Sequence, residues 1–518
     1  MYVILDKIFQ NIKNRLDATG MYRTITLALS FLVFCSVLFG FSGLMPYSGI
    51  EQLVSLFTAV AVALLTNIIL GKLFKVKVNN ESALITALII FFLVLPAPIS
   101  ALNESWLIAL IVFVAISSKF FLVWKKQHLA NPAAFGVAIV ALFFYFFPDV
   151  GYFESAWWIG QPIMFLPLVV TGILVLTKLR RFAPVLIFII TAFAFYIFES
   201  WRIGADVLSQ IPSFWLSGPV LFLAFFMLTE PFTFPPTRNL QISYAVLIGF
   251  LSQTTIFAPL FKMTPELALV IGNLVFFTFT LRQKLFLSLV EKREVAKNTF
   301  EFIFTKPKNL FFSAGQYLEW MLPHDQSDNR GIRRYFTIAS APSDEYLRIG
   351  VRFGDRISSF KTKLQSMETG DKIIASQLAG DFVMPKDKNK KVAMVAGGIG
   401  ITPFVSQINE MVRNGERRDV VLFNCNNTEV EIAYRDILAD AEKKLPINVI
   451  NILAKEKIAG YEFGFLNEDI IKKHAPDYLE REWYISGPPM MVGSYSKLLQ
   501  GMGVRSKQIV TDFFPGLA

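Results

Sequence analysis

Three segments of the 518-residue chain carry residue types whose spacing suggests chemistry. The first is VAMVAGGIGITP, where an apolar run ends at Gly397, Gly398 and Gly400, and Thr402-Pro403 then opens a helical pattern. Glycines at a strand–helix turn let the backbone approach a pyrophosphate, and the helix N-terminus offers free N–H groups and the positive end of its dipole. A tight turn of purely structural use reads the same way from this segment alone. The second segment is RYFTIAS, Arg334 to Ser340, and the third is YISGPPM, Tyr484 to Met490. Their presence on either side of the glycine turn raises the nucleotide reading well above the structural one.

The elements around these segments must hold them together. After Lys391 the apolar runs 392–396 and 420–425 flank a helical stretch at 402–413, the strand–helix–strand order of an α/β domain. From about Leu285, short alternating runs broken by polar turns predict strands, as at 299–305 and 346–353. The run PKDKNKK, Pro385 to Lys391, divides this half and reads as a solvated linker.

RYFTIAS resembles the flavin motif of the ferredoxin–NADP reductase family, and GGIGITP and SGPPMM resemble its two nicotinamide-nucleotide motifs. The resemblance covers about residues 288–518. It implies an FAD-binding antiparallel β-barrel over 288–385 and an NAD(P)-binding α/β domain over 391–518. In that frame Arg334 neutralises the FAD pyrophosphate, a bidentate task suited to guanidinium. Phe336 packs on the isoalloxazine ring and Thr337 hydrogen-bonds the flavin edge where hydride arrives. Ser340 closes the motif. Gly354, Ser358 and Ser359 match a second phosphate-binding turn, although the serine pair also suits an ordinary helix N-cap. Gly397, Gly398, Gly400, Thr402, Pro403, Gly487, Pro488 and Met490 line the nucleotide. Ser486 stands where the family often has cysteine, and can still donate a hydrogen bond near the nicotinamide. Phe514 serves equally well as a flavin cover or as core packing. Thr337, Ser486 and Phe514 are the catalytic candidates. Asn424–Thr428 follows the second nucleotide-domain strand without an arginine, which leans towards NADH over NADPH, although Arg435 could reach a 2′-phosphate.

The other half belongs to a different solvent. Hydrophobic residues make up 54% of the chain and charged residues 17%, and there are 52 phenylalanines. A soluble domain carries about 25% charged residues. Ten apolar runs lie between 24 and 281, each near the length that crosses about 30 Å of hydrocarbon as a helix. Among them are 82–98, 133–148 and 213–229. Basic residues crowd the 1–23 segment and alternate loops (Lys72/Lys75/Lys77, Lys125/Lys126, Lys178/Arg180/Arg181, Arg238), which places both termini on the cytoplasmic side. The net charge of +10, from 50 basic and 40 acidic residues, therefore reads as membrane topology rather than nucleic-acid binding.

Within 24–281, NPAAFG from Asn131 and FFMLTEP through Thr229-Glu230 resemble the membrane-subunit family shared by the Na⁺-translocating NADH:quinone reductase (Nqr) and the Rnf electron-transport complex. That family implies a ten-helix bundle carrying a flavin, with quinone nearby. Its covalent FMN is attached to threonine, but the corresponding stretch here, Asp149 to Pro167, contains none. This leaves room only for non-covalent FMN or riboflavin. Asn131, Thr229 and Glu230 are candidates to line a flavin, quinone or ion site; a helix cap accounts equally for Asn131 and a loop carboxylate for Glu230.

The expected fold is a polytopic α-helical membrane bundle fused to a cytoplasmic FAD-binding β-barrel and an α/β nucleotide-binding domain. The expected function is an integral-membrane flavoprotein, in a bacterial cell membrane, that passes electrons from NAD(P)H through FAD to a quinone or second flavin. Partner subunits are compatible with this. A redox-driven Na⁺ or H⁺ pump and a non-enzymatic flavin carrier are the competing readings. Haem is not expected, because the membrane half holds one histidine, His128, where bis-histidine ligation needs paired ones. Iron–sulfur clusters are not expected either, because Cys35 and Cys425 are the two cysteines. No metal site is read, since His324 and His474 lack partners at ligand spacing.

Overall fold

The computed structural model describes residues 16, 19–76, 78–98, 100, 104–124, 127–216, 219–254, 263–279, 284–325, 327–328, 330–354 and 357–513. The chain divides into two compact units, Met1–Gln283 and Lys284–Ala518.

In the first unit the helices are α1 (Met21–Phe41), α2 (Gly49–Leu73), α3 (Asn80–Leu93), α4 (Ser105–Phe121), α5 (Pro132–Phe146), α6 (Phe165–Leu179), α7 (Phe182–Arg202), α8 (Val207–Leu216), α9 (Arg238–Leu251) and α10 (Pro265–Thr278). Helix α2 starts with a capping box: Ser48 Oγ accepts from the Glu51 N–H, and Glu51 accepts from the Ser48 N–H. Among the described residues, α1, α2, α7 and the helix over 162–179 are long and apolar enough to cross a membrane. A fifth candidate is the pair Val207–Leu216 and Val220–Met227, bent by 47°. The ten expected spans therefore have helical counterparts, but five of these are too short to span by length alone and a sixth is the bent pair.

The shortening has identifiable causes. Pro96 and Pro98 cannot continue α3, so the run expected as 82–98 is helical only to Leu93. The carbonyls left at its end are taken by the Trp158 indole, which donates to Phe91 and Val94 at 2.7 and 3.0 Å, and by the Ala156 N–H, which donates to Leu93 at 2.9 Å. The run expected as 213–229 contains a π-helical turn at Leu223–Met227. Lys125 and Lys126, and the candidate Phe514, lie outside the described residues.

The second unit holds two six-stranded sheets. The antiparallel sheet consists of β1 (Leu285–Ala296), β2 (Thr299–Thr305), β3 (Tyr317–Met321), β4 (Arg333–Thr337), β5 (Tyr346–Arg352) and β6 (Lys372–Ala379), in the order β4-β3-β6-β1-β2-β5. Its first strand begins at Leu285, ahead of the expected 288. Phe302, Phe304, Trp320 and Ile349 are buried in its core, with Phe304 and Trp320 rings 5.2 Å apart.

The parallel sheet consists of β7 (Val392–Gly397), β8 (Val420–Asn426), β9 (Ile447–Leu453), β10 (Glu462–Phe463), β11 (Glu482–Gly487) and β12 (Ile509–Phe513), in the order β10-β9-β8-β7-β11-β12. All of β7 is buried, as a central parallel strand with both faces covered must be. Helices α12 (Thr402–Asn414) and α13 (Arg435–Lys444) cover one face; α14 (Glu468–His474) and α15 (Pro489–Gly501) cover the other. The 385–391 run is exposed yet pinned: the buried Arg418 guanidinium donates to the carbonyls of Pro385, Asp387 and Lys390 at 2.8–3.2 Å.

Candidate active site

Strand β4 presents the flavin-motif residues. Arg334 is almost fully buried, and its guanidinium donates to the carbonyls of Arg330, Gly331 and Arg333 and to both oxygens of Asp328, at 2.7–3.2 Å. Asp328 also accepts from the Ser359 N–H at 3.1 Å, while Ser359 Oγ accepts from the Asp328 N–H at 2.9 Å and lies 3.0 Å from His324 Nε2. Asp328 thus brings Arg334 and Ser359 into one network. Neither Asp328 nor His324 stood out in the sequence, since neither sits in a motif.

The short helix α11 (Ser359–Gln365) begins beside this network, with Ser358 Oγ accepting from the Lys361 N–H at 3.3 Å. The N-cap reading of Ser358 is therefore realised. Phe360, from the same turn, packs 5.9 Å from the Phe336 ring and lies under the Arg334 guanidinium. Gly354 is exposed and precedes residues outside the described set.

Charge in this corner is mostly positive. Burial, with Arg330 adding repulsion, lowers Arg334 to about 10. Burial, followed by Arg330, Arg334 and Arg352, lowers the Lys361 ammonium to about 8. Burial works against an ionised Asp328, but the Arg330 N–H and the Arg334 guanidinium still hold it below the ordinary carboxylate range. The mutual repulsion of Lys361 with Arg330, Arg334 and Arg352 marks a corner whose positive charge a diphosphate would relieve.

Thr337, 3% exposed, has no hydrogen-bond partner for its hydroxyl among the described residues. Ser486, fully buried at the end of β11, is likewise unpartnered at Oγ. Two orphaned buried hydroxyls in the two motifs fit ligands that supply polar edges, as flavin and nicotinamide do. Ser340 is satisfied: its Oγ accepts from the Arg348 N–H at 3.2 Å and its carbonyl from Ser406 Oγ at 2.7 Å.

The glycine turn follows β7. Gly398 has φ +53°, which favours glycine. A Cβ on Gly400 would lie 2.3 Å from the Ser486 carbonyl oxygen, so the turn packs directly on the SGPP turn. Thr402 Oγ1 donates to Ile399, and Pro403 sits in the first turn of α12. Pro488 caps α15. Met490 is 85% exposed, whereas its neighbour Met491 packs against Gly397 and Gly487. Met490, expected to line the nucleotide, thus stands on the open side of α15, while Met491 faces the glycine turn, because adjacent positions on a helix face different ways.

In the apolar helical unit, Asn131 Oδ1 accepts from the Ala133 and Ala134 N–H groups, and its carboxamide donates to Met227 at 3.4 Å. The cap reading of Asn131 is met here too. Asn273 accepts from the Asn131 N–H at 2.8 Å and donates to the buried Tyr244 hydroxyl. Thr229 donates to Phe225, and its carbonyl accepts from Arg181. Glu230 pairs with Thr233 and lies within Coulombic range of Lys119.

Residues 394–497 match the oxidoreductase NAD-binding domain family. The chain is 29% identical over 229 residues to the stachydrine N-demethylase reductase subunit of Rhizobium meliloti (strain 1021), covering 42% of this chain and 63% of that protein. It is 25% identical over 209 residues to the flavohemoprotein of Bacillus subtilis (strain 168), covering 39% and 51%. The C-terminal half thus carries an oxidoreductase NAD-binding domain and is similar to reductase subunits. The reductase unit also aligns at 18% identity and a TM-score of 0.41 with the FAD/NAD-binding domain of nitric oxide dioxygenase from Vibrio cholerae, covering 45% of this chain and 99% of that one. The chain spans 51–63% of the length of the curated relatives it matches.

Proposed function

We propose that the protein is a membrane flavoenzyme that oxidises NAD(P)H in its cytoplasmic reductase unit and delivers electrons to an acceptor in its apolar helical unit. The observation that carries this reading is the joining of the two halves in one chain. A reductase unit with both nucleotide motifs follows a unit containing four helices long and apolar enough to span a bilayer.

FAD, when bound, accepts hydride and releases single electrons. The chain's own residues would bind and orient. Arg334 and Lys361 hold the diphosphate, Phe336 and Phe360 wall the ring, and Thr337 Oγ1 meets its polar edge. Ser486 Oγ orients the nicotinamide carboxamide, and the Gly397–Gly400 turn and the α12 N-terminus carry the coenzyme diphosphate.

The acceptor is a quinone or a second, non-covalent flavin. A cavity of about 200 Å³ walled by Phe144, Tyr145, Tyr152, Phe153 and Leu267 supports a ring-shaped, largely apolar one. Flavin extraction from detergent-purified protein, with the visible spectrum taken before and after NADH, tests the reading. FAD plus FMN or riboflavin, all bleached, supports a relay; FAD alone, bleached, supports direct delivery to quinone or a partner. Absence of FAD sinks the proposal.

A second reading is electron flow coupled to Na⁺ or H⁺ movement. It is favoured by Glu266, a fully buried carboxyl in the first turn of α10 beside the polar groups of Ser155, Trp157 and Thr264. An ionisable side chain in such a place is costly unless used. NADH-driven uptake of labelled Na⁺ or acidification in proteoliposomes, lost in Glu266→Gln, is its test.

A further inference from the structure

Strand β7, which ends in the glycine turn, lies between β8 and β11, so the strand order reverses there. In doubly wound sheets a dinucleotide crosses the strand ends at such a reversal. An acidic side chain past the neighbouring strand then accepts from the adenosine ribose, whereas an arginine there takes the 2′-phosphate of the phosphorylated coenzyme. The neighbouring strand here is β8, and past its end come Asn427, Thr428 and the turn Glu429–Glu431.

This edge contains both residue types, and they bind each other. Glu429 Oε1 accepts from Arg435 Nη1 at 2.9 Å and from the Tyr461 hydroxyl at 3.3 Å. The second amino group of Arg435 donates to the Glu429 carbonyl. The side chains are 38% and 42% exposed, so the pair faces solvent. Glu456 accepts from the Glu429 N–H at 2.7 Å, and Glu431 is paired with Arg352 at 3.0 Å. Glu456 is held there because the Ala454 and Lys455 N–H groups continue the pairing onto Asn426 and Asn427. The guanidinium that a phosphate would need is thus occupied by a carboxylate, and the nearest turn N–H is occupied by another. Lys455 and Lys457 are exposed, but they flank Glu456.

We infer that Glu429 determines coenzyme choice: its carboxylate accepts the adenosine 2′-hydroxyl and, with Glu456, repels a 2′-phosphate, so the unit takes NADH over NADPH. Arg435 is the positioning residue that aims this carboxylate. The inference rests on the hydride-transfer reading above.

The test uses the full-length FAD-loaded protein in detergent, with flavin bleaching by each coenzyme and calorimetric binding of 5′-AMP and adenosine 2′,5′-bisphosphate. NADH should exceed NADPH in kcat/KM by at least about tenfold, the scale of one half-exposed like charge, and 5′-AMP should bind more tightly than the bisphosphate. Glu429→Gln, with flavin content confirming the fold, should narrow both ratios by about tenfold. A structural carboxylate would weaken both coenzymes alike and leave the ratios unchanged, which overturns the assignment, as does wild-type preference for NADPH or the bisphosphate. If neither coenzyme bleaches bound FAD, the hydride reading falls, while the binding ratio still decides for or against Glu429.

Discussion

Ser406 donates from its hydroxyl to the carbonyl of Ser340 at 2.7 Å, and both residues are fully buried. The bond ties α12, which follows the glycine turn, to the end of the flavin motif. Gln407, the next residue, donates to the Phe382 carbonyl at 2.7 Å. Two consecutive side chains of one helix therefore fix the parallel sheet against the antiparallel one.

Ser406→Ala should leave a buried carbonyl unpaired and cost about 1–3 kcal/mol. Thermal denaturation of the protein should show the loss, and flavin reduction by NADH should slow even where FAD content is unchanged. Unaltered stability would show that water replaces the hydroxyl.

Gly400→Ala should separate coenzyme use from flavin binding. Its Cβ would lie 2.3 Å from the Ser486 oxygen and 2.7 Å from the Ser486 carbonyl carbon, both backbone atoms. The two turns must then part by an ångström or so, which at a reacting centre costs roughly a hundredfold. Stopped-flow bleaching should fall by that order with FAD still bound.

Arg334→Ala should release FAD on gel filtration, with Arg334→Lys intermediate, because a point charge replaces a fork.

The pH dependence of flavin-free protein should report Lys361. Its ammonium titrates near 8 in the folded state against an ordinary 10.5. Between those values the unfolded chain holds a proton that the folded one does not, so stability rises with pH across that window and is flat below it on this account. Lys361→Met should abolish the rise in denaturant titrations, and loading with FAD should suppress it.

The sequence made the turns of the reductase unit legible because motif residues are also residues of constrained geometry. The glycines at 397–400 are legible as a turn since the backbone conformation at Gly398 and the close approach at Gly400 leave little choice. Asp328 and His324 were not legible, since they join the site through folding of an unpatterned loop. In the helical unit, apolar runs located the helices but overstated the one expected over 82–98, because hydropathy does not register where Pro96 and Pro98 end a helix. The linker at 385–391 was legible as solvated, but its anchor, Arg418, is remote in sequence.

The two sheets of the reductase unit also differ in when they can be completed on a growing chain. Every strand of the antiparallel sheet lies between Leu285 and Ala379, so it can close while the rest is still being synthesised. The central strand β7 cannot: Val392 pairs with Val420 on one side and with Glu482 on the other. Until the ribosome has passed β11, one edge of β7 is open and its apolar residues lack their final neighbour. The flavin-side sheet is thus the natural first foothold of assembly, and the nascent nucleotide-side sheet is the stretch most in need of shelter by a chaperone.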